Sequence, residues 1–296
     1  PGTKALDSVS FDLLKGKVNV LIGENGAGKS TLMKMIAGIE QPSNGKMYMG
    51  GEEVYFKDTT AAREKGIGII HQELSLFPNL TVYQNIFMNH EHKKGLFLDD
   101  KAHVEGAKNI LKRLEHEIDP DTLVGDMRVG QQQMVEIARN LIQDDLKVLI
   151  MDEPTSGLDA IAKSDLLEQV VAKVEYGETA GIISTHHLHE LEKICDTVTM
   201  MNIGGVHYQG ELDTVKEQIG KYQVVFQDGI PEGVYDDARI LNYSSIGSVY
   251  TFLWDKGDEN DDAIEFFLSK GAQLAEQTEI SLEELFIYSN RRRNGI

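Results

Sequence analysis

Residues 23–30 read GENGAGKS, with glycine at Gly23, Gly26 and Gly28 followed by Lys29 and Ser30. So glycine-rich a run offers no side chains to a core and too much backbone freedom to a helix interior. The pattern is G-x-x-x-x-G-K-[ST], in which glycines let successive backbone N–H groups turn toward one point. Those groups, with the positive end of the helix that follows, make a nest for an anion. In this reading Lys29 reaches the β- and γ-phosphates of a nucleotide as a point charge, and the Ser30 hydroxyl ligates Mg²⁺. Glu24, Asn25, Ala27 and Thr31 fill out the loop and the helix start, so residues 23–31 form the candidate phosphate site.

Residues 148–154, VLIMDEP, supply complementary chemistry. An apolar strand ending in two acids delivers them to the C-terminal edge of a sheet, where a phosphate loop also lies. Asp152 is the candidate to hold Mg²⁺ through water. Glu153 is the candidate general base, polarising an attacking water.

The elements that must position these residues follow from the pattern. KVNVLIG reads as a short buried strand and KSTLMKMIAGI as a helix, so the glycine run is a strand-to-helix turn. GKMYMGGEEVYF reads as a hairpin about Gly50 and Gly51, and TTAAREKG with IGIIHQE as helix then strand. Residues 81–143 read as mostly helical, with a break at DPDTLVGD. VLIMDEP is a buried strand, IAKSDLLEQVVAKVEY an amphipathic helix, and TAGIISTHH a strand running into a loop. This alternation predicts an α/β domain with a largely parallel sheet.

Near Gly210 the character changes. YQVVFQDG, RILNYSS and SVYTFLWD read as short strands, and DDAIEFFLSKG and SLEELFIYS as helices, the last with a capping-box start at Ser281 and Glu284. These predict a small α+β domain with Trp254 and its Phe and Tyr neighbours as core. The expected division is 1–210, with a helical subdomain at about 87–143, and 211–296.

Composition bounds the partners. The 296 residues carry a formal net charge of −19, which argues against DNA or RNA as the main partner, since a phosphate backbone needs a basic face. A nucleotide needs only a local pocket. The basic run Arg291, Arg292, Arg293 reads as a solvated tail. No apolar run approaches the ~20 residues that span a bilayer. The single cysteine, Cys195, excludes an internal disulfide and reads as a small apolar helix residue. The chain opens at Pro1 rather than Met, leaving room for a preceding N-terminal piece.

The motif set resembles the ATP-binding subunit of ABC transporters across about residues 1–210. Beside the two motifs stand Gln72 in IIHQE, VGQQQMVEIAR at 129–139, SGLD at 156–159 and His186 in STHHLHE. The resemblance implies a P-loop NTPase of ABC type that hydrolyses ATP with Mg²⁺. It implies that Gln72 contacts Mg²⁺ and the attacking water and reports to a membrane partner, and that His186 contacts the γ-phosphate. Gly130 and Gln131 would belong to a signature loop that meets ATP on the opposite subunit, and Asp159 would lie at the dimer interface. The implied partners are membrane-spanning subunits, a second ATPase subunit and an extracytoplasmic solute-binding protein. The implied location is cytoplasmic, peripheral on the inner face of the membrane.

Residues 1 to about 145 look most like monosaccharide and simple-sugar importers, which implies import of a sugar or related solute. STHHLHELEKICDTVTMMNIGG, GELDTVKEQ and SLEELF look more like the ATPases of multisubstrate exporters. Export, or a non-transport ABC ATPase, stands as the alternative. The signature reads MRVGQ where the family has LSGGQ, so Arg128 occupies the place of a serine. The family's adenine-stacking aromatic would fall before Pro1.

Competing chemistry is poorly supported. His186, His187 and His189 share a stretch with ligand-like spacing, but no cysteine or further acid at metal-ligand spacing joins them.

Overall fold

The computed structural model describes residues 4–70, 74–114, 116–143, 145–154, 160–177, 179–185, 188–227, 229–257 and 262–294. They form two compact units, Pro1–His186 with Met201–His207 in one, His187–Met200 with Tyr208–Ile296 in the other.

The first unit grows from β1 (Val18–Gly23), buried along its whole length. A strand covered on both faces must be apolar or satisfy its polar groups internally. Asn19, the exception in VNVLIG, does so: its Oδ1 accepts the Leu14 N–H at 3.1 Å, and its Nδ2 donates to the carbonyls of Lys17 and Gly181 at 3.0 and 2.9 Å. α1 (Lys29–Ile36) follows and turns Leu32 and Met33 into the core. β2 (Met47–Met49) and β3 (Glu52–Val54) make the expected hairpin. α2 (Thr59–Glu64) starts on Asp58, whose carboxylate accepts the Ala61 N–H at 2.8 Å, and β4 (Ile67–Ile70) returns to the sheet. Next come α3 (Val82–Ile86), β5 (Lys93–Lys94), β6 (Phe97–Leu98), α4 (Asp100–Arg113), one 3-10 turn (Val124–Asp126) and α5 (Val129–Leu141). β7 (Val148–Asp152), α6 (Ala160–Gly177) and β8 (Ala180–Ser184) complete the alternation.

These strands lie parallel in the order β4-β7-β8-β1. Leu21, Ile150, Ile182 and Met201 join Met33, Phe56 and Ala62 in one buried cluster. The β5–β6 hairpin interrupts a stretch that sequence pattern reads as helical. Gly95 turns there with a positive φ of 68°, the Asp99 N–H donates to the His92 carbonyl at 2.9 Å, and buried His103 accepts the His92 N–H on Nε2 at 2.7 Å. A tertiary acceptor on α4 thus holds the hairpin base.

An ion pair between buried Glu136 and half-buried Arg139 fastens α5 to the segment after β4. Glu136 is 1% exposed and accepts from the Ser75 N–H at 3.3 Å and the Ser75 hydroxyl at 3.2 Å. Arg139 donates to the Ser75 carbonyl at 2.9 Å and to Glu136 at 3.2 Å. Burial pushes the Glu136 carboxyl up from its ordinary value, opposed by the Arg139 charge and the bonds from Ser75.

The second unit begins with α7 (Leu188–Leu191) and the first part of β9 (Thr197–Asn202), and resumes within β10 (Gly205–Glu211). Cys195 lies between α7 and β9 rather than in a helix, its thiol donating to the Thr197 carbonyl at 3.1 Å. α8 (Leu212–Gln218) leads to β11 (Ile219–Val225), β12 (Ile240–Ile246) and β13 (Val249–Asp255), then α9 (Ala263–Ser269), β14 (Leu274–Thr278) and α10 (Leu282–Asn294). The strands form an antiparallel sheet in the order β12-β13-β11-β14. Its core is aromatic as expected: Trp254, Tyr222, Phe252 and Phe267 are almost wholly buried together. Arg239 lies over the Trp254 ring at 4.3 Å and pairs with Asp237 and Asp262. Ser281 and Glu284 make the predicted capping box, with the Glu284 N–H donating to the Ser281 hydroxyl at 3.2 Å and the Ser281 N–H to the Glu284 carboxylate at 3.0 Å. No helix among the described residues is long and apolar enough to cross a membrane.

The Glu136 pair makes a stability prediction. Glu136→Ala leaves the half-buried Arg139 guanidinium with Ser75 but without its carboxylate and is expected to cost about 1–3 kcal/mol, whereas replacing both residues with apolar ones of similar volume recovers most of it. Urea unfolding of the single variant and of Glu136→Met with Arg139→Leu checks this.

Candidate functional site

Three of the parallel strands end level at one edge. Leu21 of β1 pairs with Ser184 of β8, and Ser184 pairs on its other side with Asp152 of β7. The chain therefore leaves β1 at Gly23, β7 at Asp152 and β8 at Ser184 beside one another, which brings the glycine loop and the two acids together as their spacing predicts.

At the end of the loop, Gly28 has φ 97° and ψ 6°. A Cβ there would stand 2.7 Å from the Ala5 carbonyl oxygen and 2.7 Å from Leu6 Cδ2, so only glycine fits. Gly26 also has a positive φ of 83° but faces open space, with nothing within 4 Å of its Cβ position. The Ala27 N–H closes the turn on the Glu24 carbonyl at 3.1 Å. Glu24, Asn25 and Ser30 are exposed, Thr31 half-buried, Gly23 and Ala27 buried. The first bond inside α1 runs from the Leu32 N–H to the Gly28 carbonyl at 2.9 Å. Helix geometry thus gives the N–H groups of Lys29, Ser30 and Thr31 no acceptor within the helix.

Lys29 folds back into this loop. It is buried, and its Nζ donates to the carbonyls of Gly23 at 2.7 Å and Glu24 at 3.2 Å. Burial pulls its pKa down, and the charges of Glu153 and then Asp152 act against that. A buried ammonium beside N–H groups without helical acceptors is a site for a strongly anionic group.

Asp152 accepts a hydrogen bond from the Ser184 hydroxyl on one carboxylate oxygen. Glu153 has a positive φ of 51°, uncommon for a residue with a side chain. Its N–H donates to the Ser184 carbonyl at 3.0 Å, and its Oε2 accepts from the Thr185 hydroxyl at 3.3 Å. Sequence pattern singled out neither Ser184 nor Thr185. The available signal was their position at the end of an apolar strand, immediately before His186.

The MRVGQ stretch is the start of a helix rather than a free loop. Arg128 is exposed and precedes the first turn of α5, in which Gly130 and Gln131 stand. The Arg128 N–H donates to the Gln131 side-chain oxygen at 3.2 Å, and Gln132 Nε2 donates to the Met127 carbonyl at 3.0 Å. The guanidinium has no acceptor atom and caps nothing. α5 packs on α3, α4 and β4, so these residues are held by a different set of elements from those that hold the phosphate loop. Gln72, Asp159 and His186 lie outside the described residues.

The residues present fit a nucleotide phosphate chain with a hard divalent cation. Gly26 keeps the crest of the loop clear, Lys29 supplies buried positive charge, and the Ser30 hydroxyl and the Asp152 carboxylate are oxygen donors of the kind Mg²⁺ takes.

A family model described as ABC transporter matches residues 6–156, just over half of the chain. The chain is 45% identical over 205 residues to the ribose import ATP-binding protein RbsA of Rhodopirellula baltica, a match covering 69% of this chain and 40% of that protein. It is 45% identical over 204 residues to a putative ribose/galactose/methyl galactoside import ATP-binding protein of Agrobacterium fabrum, with coverage of 69% and 40%. The chain thus spans about 40% of the length of these curated relatives. Among solved structures, it is similar to a nucleotide-free ATP-binding cassette from an ABC transporter, with 27% identity, a TM-score of 0.64, and coverage of 72% of this chain and 88% of that one.

The loop geometry separates two glycines. Gly26→Ala meets only an unfavourable φ and is expected to cost about 1–2 kcal/mol. Gly28→Ala adds a clash with the Ala5 backbone and is expected to cost clearly more. Denaturant unfolding of both variants checks the order; equal losses would contradict it.

Proposed function

The chain belongs to the ABC transporter family, and from that premise we propose that it is an ATP-hydrolysing transporter subunit, driving import of a sugar or related small solute through separate membrane-spanning subunits. The observation that carries this reading is the meeting of the Lys29 loop with Asp152 and Glu153 at one sheet edge. Import of a sugar is supported by the relatives, which are named as ribose and galactoside import ATP-binding proteins. The subunit would work at the inner, cytoplasmic face of the membrane, with a second ATPase subunit and a solute-binding protein outside. The exporter-like stretches GELDTVKEQ and SLEELF favour a second reading, export. ATP-dependent accumulation of ribose in vesicles carrying the chain with its membrane subunits supports import, and expulsion supports export.

In this proposal residues 23–31 bind the phosphates through backbone N–H groups, and Lys29 neutralises the β- and γ-phosphates. Ser30, Asp152 and Gln72 would hold Mg²⁺, which when bound neutralises charge on the phosphate oxygens. Glu153 takes the role of general base, orienting a water for in-line attack on the γ-phosphorus and accepting its proton. His186 would contact the γ-phosphate, and Asp159 the partner subunit. Arg128, Gly130 and Gln131 would present the start of α5 to ATP held by that partner. The N–H groups of the first turn of α5 suit a phosphate, and arginine adds a planar fork of donors.

Lys29→Ala is expected to abolish the stabilisation given by Mg-ATP, about 2.7 kcal/mol at ~100 times the dissociation constant. Glu153→Gln is expected to keep that shift while hydrolysis falls by about 10²–10⁴. Thermal melts and phosphate release check the pair; near-normal turnover in Glu153→Gln would remove it as base.

Arg128→Ala is expected to lower ATPase activity and ATP-driven dimerisation with monomer binding unchanged, and Arg128→Ser to restore much of the loss. Wild-type activity in Arg128→Ala would instead mark the side chain as a bystander.

A further inference from the structure

We infer that Thr185 is a positioning residue for the Glu153 carboxylate, acting with Ser184 so that the chain at the end of β8 aims the two acids at the end of β7. The inference rests on the proposed role of Glu153 as the hydrolytic base.

Three contacts from two adjacent residues carry it. The Ser184 carbonyl accepts the Glu153 N–H at 3.0 Å, the Ser184 hydroxyl donates to the Asp152 carboxylate, and the Thr185 hydroxyl donates to Glu153 Oε2 at 3.3 Å. Ser184 and Thr185 are 0% and 1% exposed, so the donor side of these bonds is shielded from water, while the two acids are half-buried. Glu153 itself sits at a φ of 51°, in the left-handed region that side chains disfavour. Such a conformation persists where surrounding bonds over-determine it. Here one bond holds the backbone of Glu153 and another holds its carboxylate, from the last residue of β8 and the residue that follows it. A glutamate has three side-chain torsions, and ordering them costs conformational entropy. With its carboxylate tethered by a buried donor, Glu153 meets much of that cost before substrate arrives, as a preorganised base should. In this role Thr185 acts through Glu153.

The test is a set of substitutions in the full chain. Thr185→Val keeps the shape and removes the donor. Hydrogen bonds to charged groups are among the stronger ones, so kcat is expected to fall about 10–100-fold, with KM and the Mg-ATP thermal shift unchanged. Thr185→Ser returns the hydroxyl and is expected to bring kcat back to within about threefold of wild type. In a Glu153→Gln background, Thr185→Val is expected to add little, because the two residues act as a unit. If Thr185→Val does not fold, Thr185→Ala removes the same donor without placing a second methyl group in the strand, and the same outcomes apply. Wild-type kcat in the variant lacking the hydroxyl, no rescue by serine, or a full further loss on top of Glu153→Gln would each overturn the inference while leaving Glu153 as base. Normal hydrolysis in Glu153→Gln alone would overturn the function reading, and this inference with it.

Discussion

The parallel hydrogen-bond ladder that sets Leu21, Ser184 and Asp152 level is the constraint on which the site depends. Parallel strands cannot be joined by a tight turn, so each needs a crossover, and all their C-terminal ends fall on one edge. Loops far apart in the chain are thereby delivered to one place. A shift of β8 by one residue would turn Ser184 to the opposite face and take its hydroxyl from Asp152. The ladder thus sets chemistry as well as packing.

In the first unit several buried polar groups are satisfied by more than one partner. Asn19 ties the approach to β1 to the sheet, and Lys29 is held by two carbonyls of its own loop. Glu136 and Arg139 share Ser75 as a common partner. A buried charge left without partners costs far more than a satisfied one contributes, so such clusters hold their elements in one arrangement. The Ser75 clip fixes α5, and with it the Arg128 turn, to the segment that follows Gln72.

The second unit solves a smaller problem by different means. Its sheet is antiparallel, with a tight β12–β13 hairpin and a crossover through α9 that carries β14 to the far side of β11, and alternate side chains of β11 and β13 point into one aromatic cluster. Large rings bury much apolar area per residue, which a small core requires. The Arg239 guanidinium extends the cluster by stacking on Trp254 while Asp237 and Asp262 keep its charge paired.

Much of this was legible along the chain. Glycine spacing, the lysine and hydroxyl, and an apolar strand ending in two acids are local signals, because backbone freedom, charge and hydrophobic period are properties of short segments. They determined the phosphate loop, the strands around it, the α/β class and the capping box at Ser281, while the ABC type rested on the resemblance carried by the further motifs. What only the tertiary structure decided are relations between segments distant in sequence. The β5–β6 hairpin holds its base through His103 on α4, and β14 exists as a strand through its pairing with β11. Helical pattern covers MRVGQ, but that the helix begins at Val129 is fixed by the Gln131 side chain accepting the Arg128 N–H and by the packing of α5. The left-handed backbone of Glu153 and its bond from Thr185 depend on which strand lies beside β7, and no local pattern encodes the neighbour. A sequence names the groups that can do chemistry; the hydrogen-bonded register between strands decides which of them face one another.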